Sequence, residues 1–196
     1  AYIIQNAYNN FPKGSIHIIG VDSELTPENK HIAISLSGHY FICANNGILS
    51  MICNNNKPEK IVEINIHDKL QGSFPVLDVF VKVAGHIYRG GNLEVIGKKI
   101  NEIKPIKNIV PFISDKKDQL IGHIIYIDRY DNVITNIKKS FFESIQNKRS
   151  FEILARNYKF NKVHKRYSDI VNFEIPIHKR NCLLYTSPSP RDTIRS

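Results

Sequence analysis

The first hundred residues alternate short apolar runs with helical stretches, and this alternation restricts the fold more than any other feature of the sequence. Apolar runs of strand length occupy four segments, 15–21, 31–37, 39–44 and 60–66. Helical spacing of apolar residues occurs before and between them, at 1–11, 48–53 and 78–86. Strands separated by helices pack in layers. The sequence therefore predicts an α/β domain with a mixed sheet over residues 1–104.

The pattern changes after residue 104. Residues 105–118 include two prolines and several lysines, which is typical of a linker. Strand patterns then follow with little helix between them, at 120–127, 132–137, 150–160 and 172–177. One short helix is predicted to start at the capping box that runs from Ser140 to Glu143. Residues 119–181 are thus expected to form a partial C-terminal domain that is antiparallel, β-rich and barrel-like.

The last fifteen residues, 182–196, differ in character from the rest. The run Cys182-Leu-Leu-Tyr-Thr-Ser-Pro-Ser-Pro-Arg-Asp192 matches the translation of a common transposon-end sequencing adapter. We therefore expect a non-native tail that packs against nothing and contains no strand, and we exclude it from the fold prediction. The helical spacing at 1–11 has no capping residue before it, so the chain is also expected to begin within a helix.

Charge and cysteine content narrow the function classes. The formal net charge is +9, but lysines and arginines are spread over the chain and are not interleaved with aromatic residues, which disfavours a nucleic-acid-binding module. The three cysteines form no CxxC pair, and the eight histidines form no HExxH, so a metal site is not expected. A reducing cytoplasm fits this cysteine usage. The longest stretch without Asp, Glu, Lys or Arg, 31–56, contains too many polar residues to span a bilayer.

A polar cluster interrupts the strands at 126–137, where two carboxylates and two side-chain amides fall within nine residues. Asp128 is suited to accept hydrogen bonds from an ammonium group or from ribose hydroxyls, and Asn132 can both donate and accept. A simpler interpretation is a hairpin whose turn is made by Asp131 and Asn132. From the residues alone, both interpretations stay open.

The same segment resembles a motif of the S-adenosylmethionine (SAM) hydroxide adenosyltransferases, relatives of the SAM-dependent fluorinases and chlorinases. That motif is a hydrophobic strand, an Asp, a short turn, Gly-Asn, two variable residues and Thr-Asn-Ile. The resemblance implies that Asp128 and Asn132 hold the methionine part of SAM and that Ile134 also contacts the substrate. Asp131 replaces the family's Gly and still tolerates a turn conformation.

Two further segments and one aspartate agree with the family in order and spacing. Residues 38–50 resemble its strand followed by an Asn-Gly turn, which implies that Asn46 binds substrate. Residues 73–90 resemble the segment that lies near the sugar and the nucleophile, which implies the same for Phe74, Pro75 and Val76. Asp22 matches the family's catalytic aspartate. The resemblance covers roughly residues 1–178, and it implies that the first strands of the N-terminal domain are missing.

The chain departs from the family at two positions of the set proposed to activate water. Asn29 stands where hydroxide-forming members have an Arg, and Pro75 stands where they have a His. Val76 replaces the Ser that fluorinases place at the halide position, which argues against halide chemistry. Asp22 is the one member of the set that this chain keeps.

The resemblance implies an enzyme that hydrolyses SAM to adenosine and L-methionine by attack of water at the 5′ carbon. SAM is then the substrate, and no cofactor is implied. It also implies a homotrimer, with SAM between the N-terminal domain of one subunit and the C-terminal domain of the next. Two alternatives remain: a SAM- or adenosine-binding protein without turnover, and a basic nucleic-acid-binding module.

Overall fold

The structure is a computed structural model that describes residues 1–54, 56–66, 74–106, 110–116, 118–130, 132–164, 185–186 and 193–195. The chain divides into two compact units, residues 1–108 and residues 109–196. The predicted linker at 105–118 contains a two-residue strand, Phe112–Ile113, which pairs with Leu120–Ile121.

Unit 1 is built on a mixed sheet of five strands. The strands are β1 (Ile16–Ile19), β2 (His31–Leu36), β3 (His39–Ala44), β4 (Lys60–Ile64) and β5 (Gly97–Lys99). They lie in the order β1-β3-β2-β4-β5. Only the β1–β3 pair is parallel, and the other three pairs are antiparallel. This sheet confirms the predicted class, α/β with a mixed sheet.

Helices cover both faces of the sheet, because alternate residues of the central strands point to opposite sides. One face packs against helices α1 (Tyr2–Ala7) and α2 (Ile48–Cys53). The other packs against a helix that begins with a π-helical turn, Val76–Phe80, and continues as α3 (Val81–Tyr88). Both cores are apolar, and Phe41 on the first face and Phe80 on the second are fully buried. The sheet is thus the middle layer of three.

The helix expected at 78–86 begins earlier than predicted. The sequence predicts Asp78 as its cap, but the helical backbone already includes Val76. The carboxylate of Asp78 reaches back one turn and accepts a hydrogen bond from the backbone N–H of Phe74 at 2.9 Å. Asp78 therefore satisfies a free amide at the helix start from a position inside the first turn.

Two histidines lie side by side on β1 and β3. Nε2 of His17 and Nδ1 of His39 are 3.4 Å apart, and the ring of Tyr8 packs edge-on against His39. His39 is completely buried, and its Nε2 has no hydrogen-bond partner among the described residues. Burial lowers the pKa of both imidazoles. The charge of His39 lowers the pKa of His17 further, and the charge of Lys13 does the same for His39.

Because of this histidine pair, we expect the protein to lose stability in mild acid. Because both pKa values are lower in the folded state than the ordinary value of about 6.5, the unfolded chain binds more protons below that pH. The free energy of unfolding should therefore fall as the pH drops below about 6.5. At higher pH the two histidines should not change it. Urea unfolding at pH values from 5 to 8 measures this dependence.

The double variant His17→Gln/His39→Gln serves as the control for this prediction. Its urea midpoint should depend less on pH in the same interval. Desolvation acts to raise the pKa of the exposed Glu59 carboxyl, but hydrogen bonds from Ser35 and Ser37 outweigh it and hold that pKa below its usual range, so this group acts only at lower pH. A wild-type midpoint that is constant between pH 5 and pH 7 would contradict the prediction.

Unit 2 is largely antiparallel, as predicted. Its described strands are β6 (Phe112–Ile113), β7 (Leu120–Ile121), β8 (Ile124–Ile127), β9 (Val133–Lys138), β10 (Ile153–Ala155), β11 (Tyr158–Phe160), β12 (Tyr185–Thr186) and β13 (Thr193–Arg195). Helix α4 (Lys139–Gln146) follows β9 directly. Its N-cap is Lys138, whose side chain makes no capping bond, so the predicted start at a Ser140 capping box is wrong. The strand predicted at 172–177 lies outside the described residues.

The prediction that residues 182–196 contain no strand is also wrong. Strand β13 pairs antiparallel with β9 and with β12, in the order β12-β13-β9-β8. Strand pairing uses backbone N–H and C=O groups, which nearly every residue carries whatever its side chain. An extended segment can therefore add to an open strand edge even when its composition does not favour a strand. The adapter origin of the segment stays a prediction.

Within the described parts of the chain, no helix has both the length and the apolar character needed to cross a bilayer.

Candidate functional site

The site in unit 1 forms where β1 and β3 end. These strands are parallel, so their carboxyl ends meet at one edge of the sheet. Asn46, which follows β3, holds the chain that follows β1: its Nδ2 donates to the carbonyl of Val21 at 2.8 Å and lies 3.4 Å from the carbonyl of Asp22. Its Oδ1 accepts from the backbone N–H of Ile48 at 3.2 Å. The structure thus brings Asp22 and Asn46 together.

Gly47 permits the sharp turn that places Asn46. Its φ is 95°, a left-handed conformation that residues with a Cβ rarely adopt. A Cβ at this position would also collide with the side chain of Ile106. The Asn-Asn-Gly sequence therefore makes the turn that the sequence predicts, and it orients the Asn46 amide toward β1.

Asp22 adopts an unusual backbone conformation. Its φ of 45° lies in the left-handed region, which costs L-residues free energy although Asp and Asn tolerate it better than most. Such conformations persist when the surrounding structure enforces them, and they are common at functional sites. Here the Asn46 amide provides that constraint, and the Asp22 side chain is exposed at the sheet edge.

The start of the third helix completes this edge. Val76 packs so closely on Gly20 that a Cβ at position 20 would lie 2.9 Å from the Val76 Cγ2 atom. Phe74 and Pro75 immediately precede Val76, and the ring of Phe74 is 59% exposed. The segment from Phe74 to Val76 therefore borders the turn that carries Asp22. Asp22, Asn46 and Val76 thus lie at this edge, and Phe74 and Pro75 adjoin it through Val76.

Two residues that the sequence analysis did not select also contact this loop. His31, which is 1% exposed, has its Nε2 2.9 Å from the carbonyl of Ser23. Lys104 has its Nζ 3.2 Å from Oδ1 of Asn29, and its backbone N–H donates to Asn45 at 2.8 Å. His31 could have been selected from the sequence, because it is a histidine at the first position of a buried strand. No local pattern pointed to Lys104, because its partners lie 75 and 59 residues away in sequence.

The candidate residues of unit 2 lie at the turn between β8 and β9. Asp128 Oδ1 accepts from the backbone N–H of Tyr130 at 2.8 Å and of Asn132 at 3.0 Å, and its Oδ2 accepts from Asn132 Nδ2 at 2.8 Å. Ile134 is 1% exposed and belongs to the interior. β8 and β9 pair antiparallel, which confirms the hairpin, while Asp131, which that interpretation places in the turn, lies outside the described residues. A carboxylate oxygen accepts more than one hydrogen bond, so a role in ligand binding remains compatible with the hairpin.

The chemistry available at these two places is that of carboxylates and amides. Among the described residues, no group of three or more His, Cys, Asp or Glu side chains is placed to hold a metal ion. Cys43 and Cys53 are buried in the core, and burial raises the pKa of the Cys43 thiol to about 12 and that of Cys53 to about 11. Such thiols are poor nucleophiles, because the reactive form is the thiolate. Asp22 is thus the candidate acid–base group of unit 1.

A unit with a mixed sheet between helices, followed by a unit of antiparallel strands, defines a class of two-part α/β proteins. Comparison with known proteins identifies the family. Residues 1–97 match the SAM hydroxide adenosyltransferase N-terminal domain, and residues 122–186 match the C-terminal domain of the same family. The chain belongs to the SAM hydroxide adenosyltransferase family.

A curated relative carries a functional name. The (R)-S-adenosyl-L-methionine hydrolase of Methanocaldococcus jannaschii is 28% identical over 141 residues, which is 71% of this chain and 48% of the relative. This chain therefore spans about half the length of the curated relative that it matches.

Solved structures share the fold. An uncharacterized conserved protein from Thermotoga maritima superimposes with a TM-score of 0.79 at 21% identity, covering 99% of this chain and 73% of the other. A conserved hypothetical protein from Thermus thermophilus gives a TM-score of 0.66 at 14% identity, covering 99% of this chain and 72% of the other.

Proposed function

We propose that the full-length protein hydrolyses SAM to adenosine and L-methionine, with water attacking the 5′ carbon. The observation that carries the proposal is the Asp22 turn. The backbone at Asp22 is left-handed, the Asn46 amide donates to the carbonyls of Val21 and Asp22, and the exposed Asp22 carboxylate lies at the edge where the parallel strands end, beside the helix start at Val76. Membership of the family and the name of the Methanocaldococcus relative support SAM as the substrate.

The reaction requires orientation more than acid–base chemistry. SAM carries a sulfonium, so when the oxygen of water bonds to the 5′ carbon, the carbon–sulfur electron pair stays on sulfur and methionine leaves as a neutral thioether. The water releases one proton to solvent in the process. Holding the two reactants in line accounts for much of such an acceleration. Asp22 is proposed to accept a hydrogen bond from the water and orient it for attack.

Lys104 places a positive charge next to Asn29, the position where family members have an Arg. The ammonium of Lys104 lies 3.2 Å from Oδ1 of Asn29, so a cation is present at this position although the family's Arg is absent. Pro75 offers no proton acceptor in place of the family's His. In the proposed reaction, Asp22 is the carboxylate that orients the water, and no cofactor takes part.

The proposed assembly is a homotrimer in the cytoplasm, with Asp128 and Asn132 binding the methionine part of SAM. An exposed apolar stripe on the third helix supports association. Phe74, Leu77, Val81 and Tyr88 recur at helical spacing and are 59%, 61%, 46% and 85% exposed. Contiguous exposed apolar surface of this kind is typical of interfaces.

Hydrolysis in ¹⁸O-labelled water tests the proposal. The full-length protein is incubated with SAM, and mass spectrometry follows the products. We expect adenosine that carries ¹⁸O in its 5′ hydroxyl and unlabelled methionine. Without enzymatic attack at the 5′ carbon, labelled adenosine will not form.

A SAM-binding protein without turnover is the second candidate, and the absence of Arg and His at positions 29 and 75 favours it. In that case calorimetry would detect SAM binding while no adenosine appears.

A nucleic-acid-binding module would bind generic DNA with an affinity that falls steeply as salt rises, and we expect no such binding.

A further inference from the structure

His31 is a buried polar residue that contacts the loop carrying Asp22. It is the first residue of β2 and pairs with Ala44, the last residue of β3. Because β2 is antiparallel to β3, the start of β2 and the carboxyl end of β3 share one edge of the sheet. This is the edge that carries Asp22 and Asn46. The buried side chain of His31, which is 1% exposed, therefore belongs to the same edge as the candidate site.

The contact between His31 and the loop is a specific hydrogen bond. Its Nε2 lies 2.9 Å from the carbonyl oxygen of Ser23, the residue that follows Asp22. A carbonyl oxygen only accepts, so Nε2 carries the proton and donates it. Asn46 holds the carbonyl of Val21 on the other side of Asp22. The turn is thus held one residue before and one residue after Asp22.

The ring of His31 also contacts the helix that borders the site. The centroids of the His31 and Phe80 rings are 4.8 Å apart, and their planes meet at 78°, an edge-to-face geometry. Phe80 is fully buried and ends the π-helical turn that begins at Val76. One imidazole therefore joins the Asp22 loop to the helix whose start packs on Gly20.

We propose that His31 is a positioning residue for Asp22. This proposal rests on the proposed function, because His31 can affect the reaction rate through Asp22 only if Asp22 takes part in the reaction. The hydrogen bond to Ser23 holds the left-handed turn so that the Asp22 carboxylate points to one place, and the contact with Phe80 keeps that turn in register with the segment from Phe74 to Val76. Reaction rates respond steeply to small displacements of an orienting group, whereas binding responds less.

Two substitutions separate the two contacts of His31. His31→Phe keeps an aromatic ring against Phe80 and removes the donor to Ser23. His31→Gln keeps an N–H donor and removes the ring. His39→Phe is the matched control. His39 is also fully buried, but it lies at the start of β3, whereas the candidate site lies at the end of β3.

The measurements are made on the full-length protein: kcat and KM for SAM, SAM affinity by calorimetry, thermal midpoint, and hydrogen exchange at the amides of Ser23 to Leu25. We expect His31→Phe to lower kcat tenfold to a hundredfold with SAM affinity within threefold of wild type, and to speed exchange in the loop. His31→Gln should restore kcat to within threefold of wild type. His39→Phe should leave kcat and loop exchange unchanged.

Three outcomes would decide against the proposal or its premise. Wild-type kcat and wild-type loop exchange in His31→Phe would overturn it. Equal losses of kcat and thermal midpoint in His31→Phe and His39→Phe would also overturn it, because both would then reflect general destabilisation. If the wild-type protein releases no adenosine, the proposed function fails, and loop exchange in the Phe and Gln variants still shows whether His31 holds the turn.

Discussion

Replacing Asp22 by asparagine should lower kcat for SAM hydrolysis by a factor of about 10², the size of effect expected when an attacking group is no longer held in position. Asparagine tolerates the left-handed conformation that Asp22 adopts at φ 45°, so the turn should survive the change. What is lost is the negative charge that accepts a hydrogen bond from the attacking water. The measurement is initial-rate release of adenosine by the full-length protein, together with SAM affinity by calorimetry.

Glu24→Gln is the matched control for this result. Glu24 is an exposed carboxylate two residues along the same loop, and the change removes one negative charge in the same way. We expect its kcat to stay within about twofold of wild type. Equal rates for Asp22→Asn and wild type would exclude Asp22 as the group that orients water. A loss of SAM affinity with unchanged kcat would assign Asp22 to substrate binding instead.

Replacing Asp128 by alanine should weaken SAM binding about tenfold to a hundredfold. The expected interaction is a charge-assisted hydrogen bond with the α-ammonium of SAM, which contributes about 1.5–3 kcal/mol. Calorimetry on the full-length protein measures the affinity for SAM and for adenosine. Adenosine lacks the ammonium, so its affinity should barely change. Asn132→Ala should cost less, because a neutral hydrogen bond is weaker.

The structure adds a necessary control to this experiment, because Asp128 also holds its own turn. Its carboxylate accepts hydrogen bonds from the backbone of Tyr130 and Asn132, so its removal disturbs the loop as well as the ligand. Asp118 serves as the control: it accepts from the Ser114 hydroxyl at 2.6 Å in another turn of unit 2. Asp118→Ala should leave SAM affinity unchanged. Equal losses for SAM and adenosine in Asp128→Ala would assign Asp128 to the fold.

Local sequence patterns predicted the central strands of unit 1 closely. β2 and β3 lie where their alternation and the intervening Gly38 place them, and α2 occupies the residues that follow the Asn-Asn-Gly turn. These elements depend on interactions between residues near in sequence, such as apolar periodicity and turn conformation. The order of motifs was enough to indicate the family, since each motif is a short contiguous segment.

The ends of elements were predicted less well, because tertiary contacts override local capping signals. The third helix starts near Val76, where packing on Gly20 favours helix, and not at the polar Asp78. Helix α4 starts directly after β9 without using the Ser140 hydroxyl as a cap. Strand β13 (Thr193–Arg195) pairs with β9 although the composition of the last fifteen residues predicts no strand.

By itself, the sequence determined the α/β class of unit 1, the antiparallel character of unit 2 and the motif residues that the family resemblance selects. Only the tertiary structure decided which side chains hold the Asp22 turn. Asn46, His31 and Lys104 reach that loop from separate elements, and the partners are 8 to 75 residues apart in sequence. Hydrogen bonds of this kind depend on how strands are ordered in the sheet, and short-range periodicity carries no information about that order.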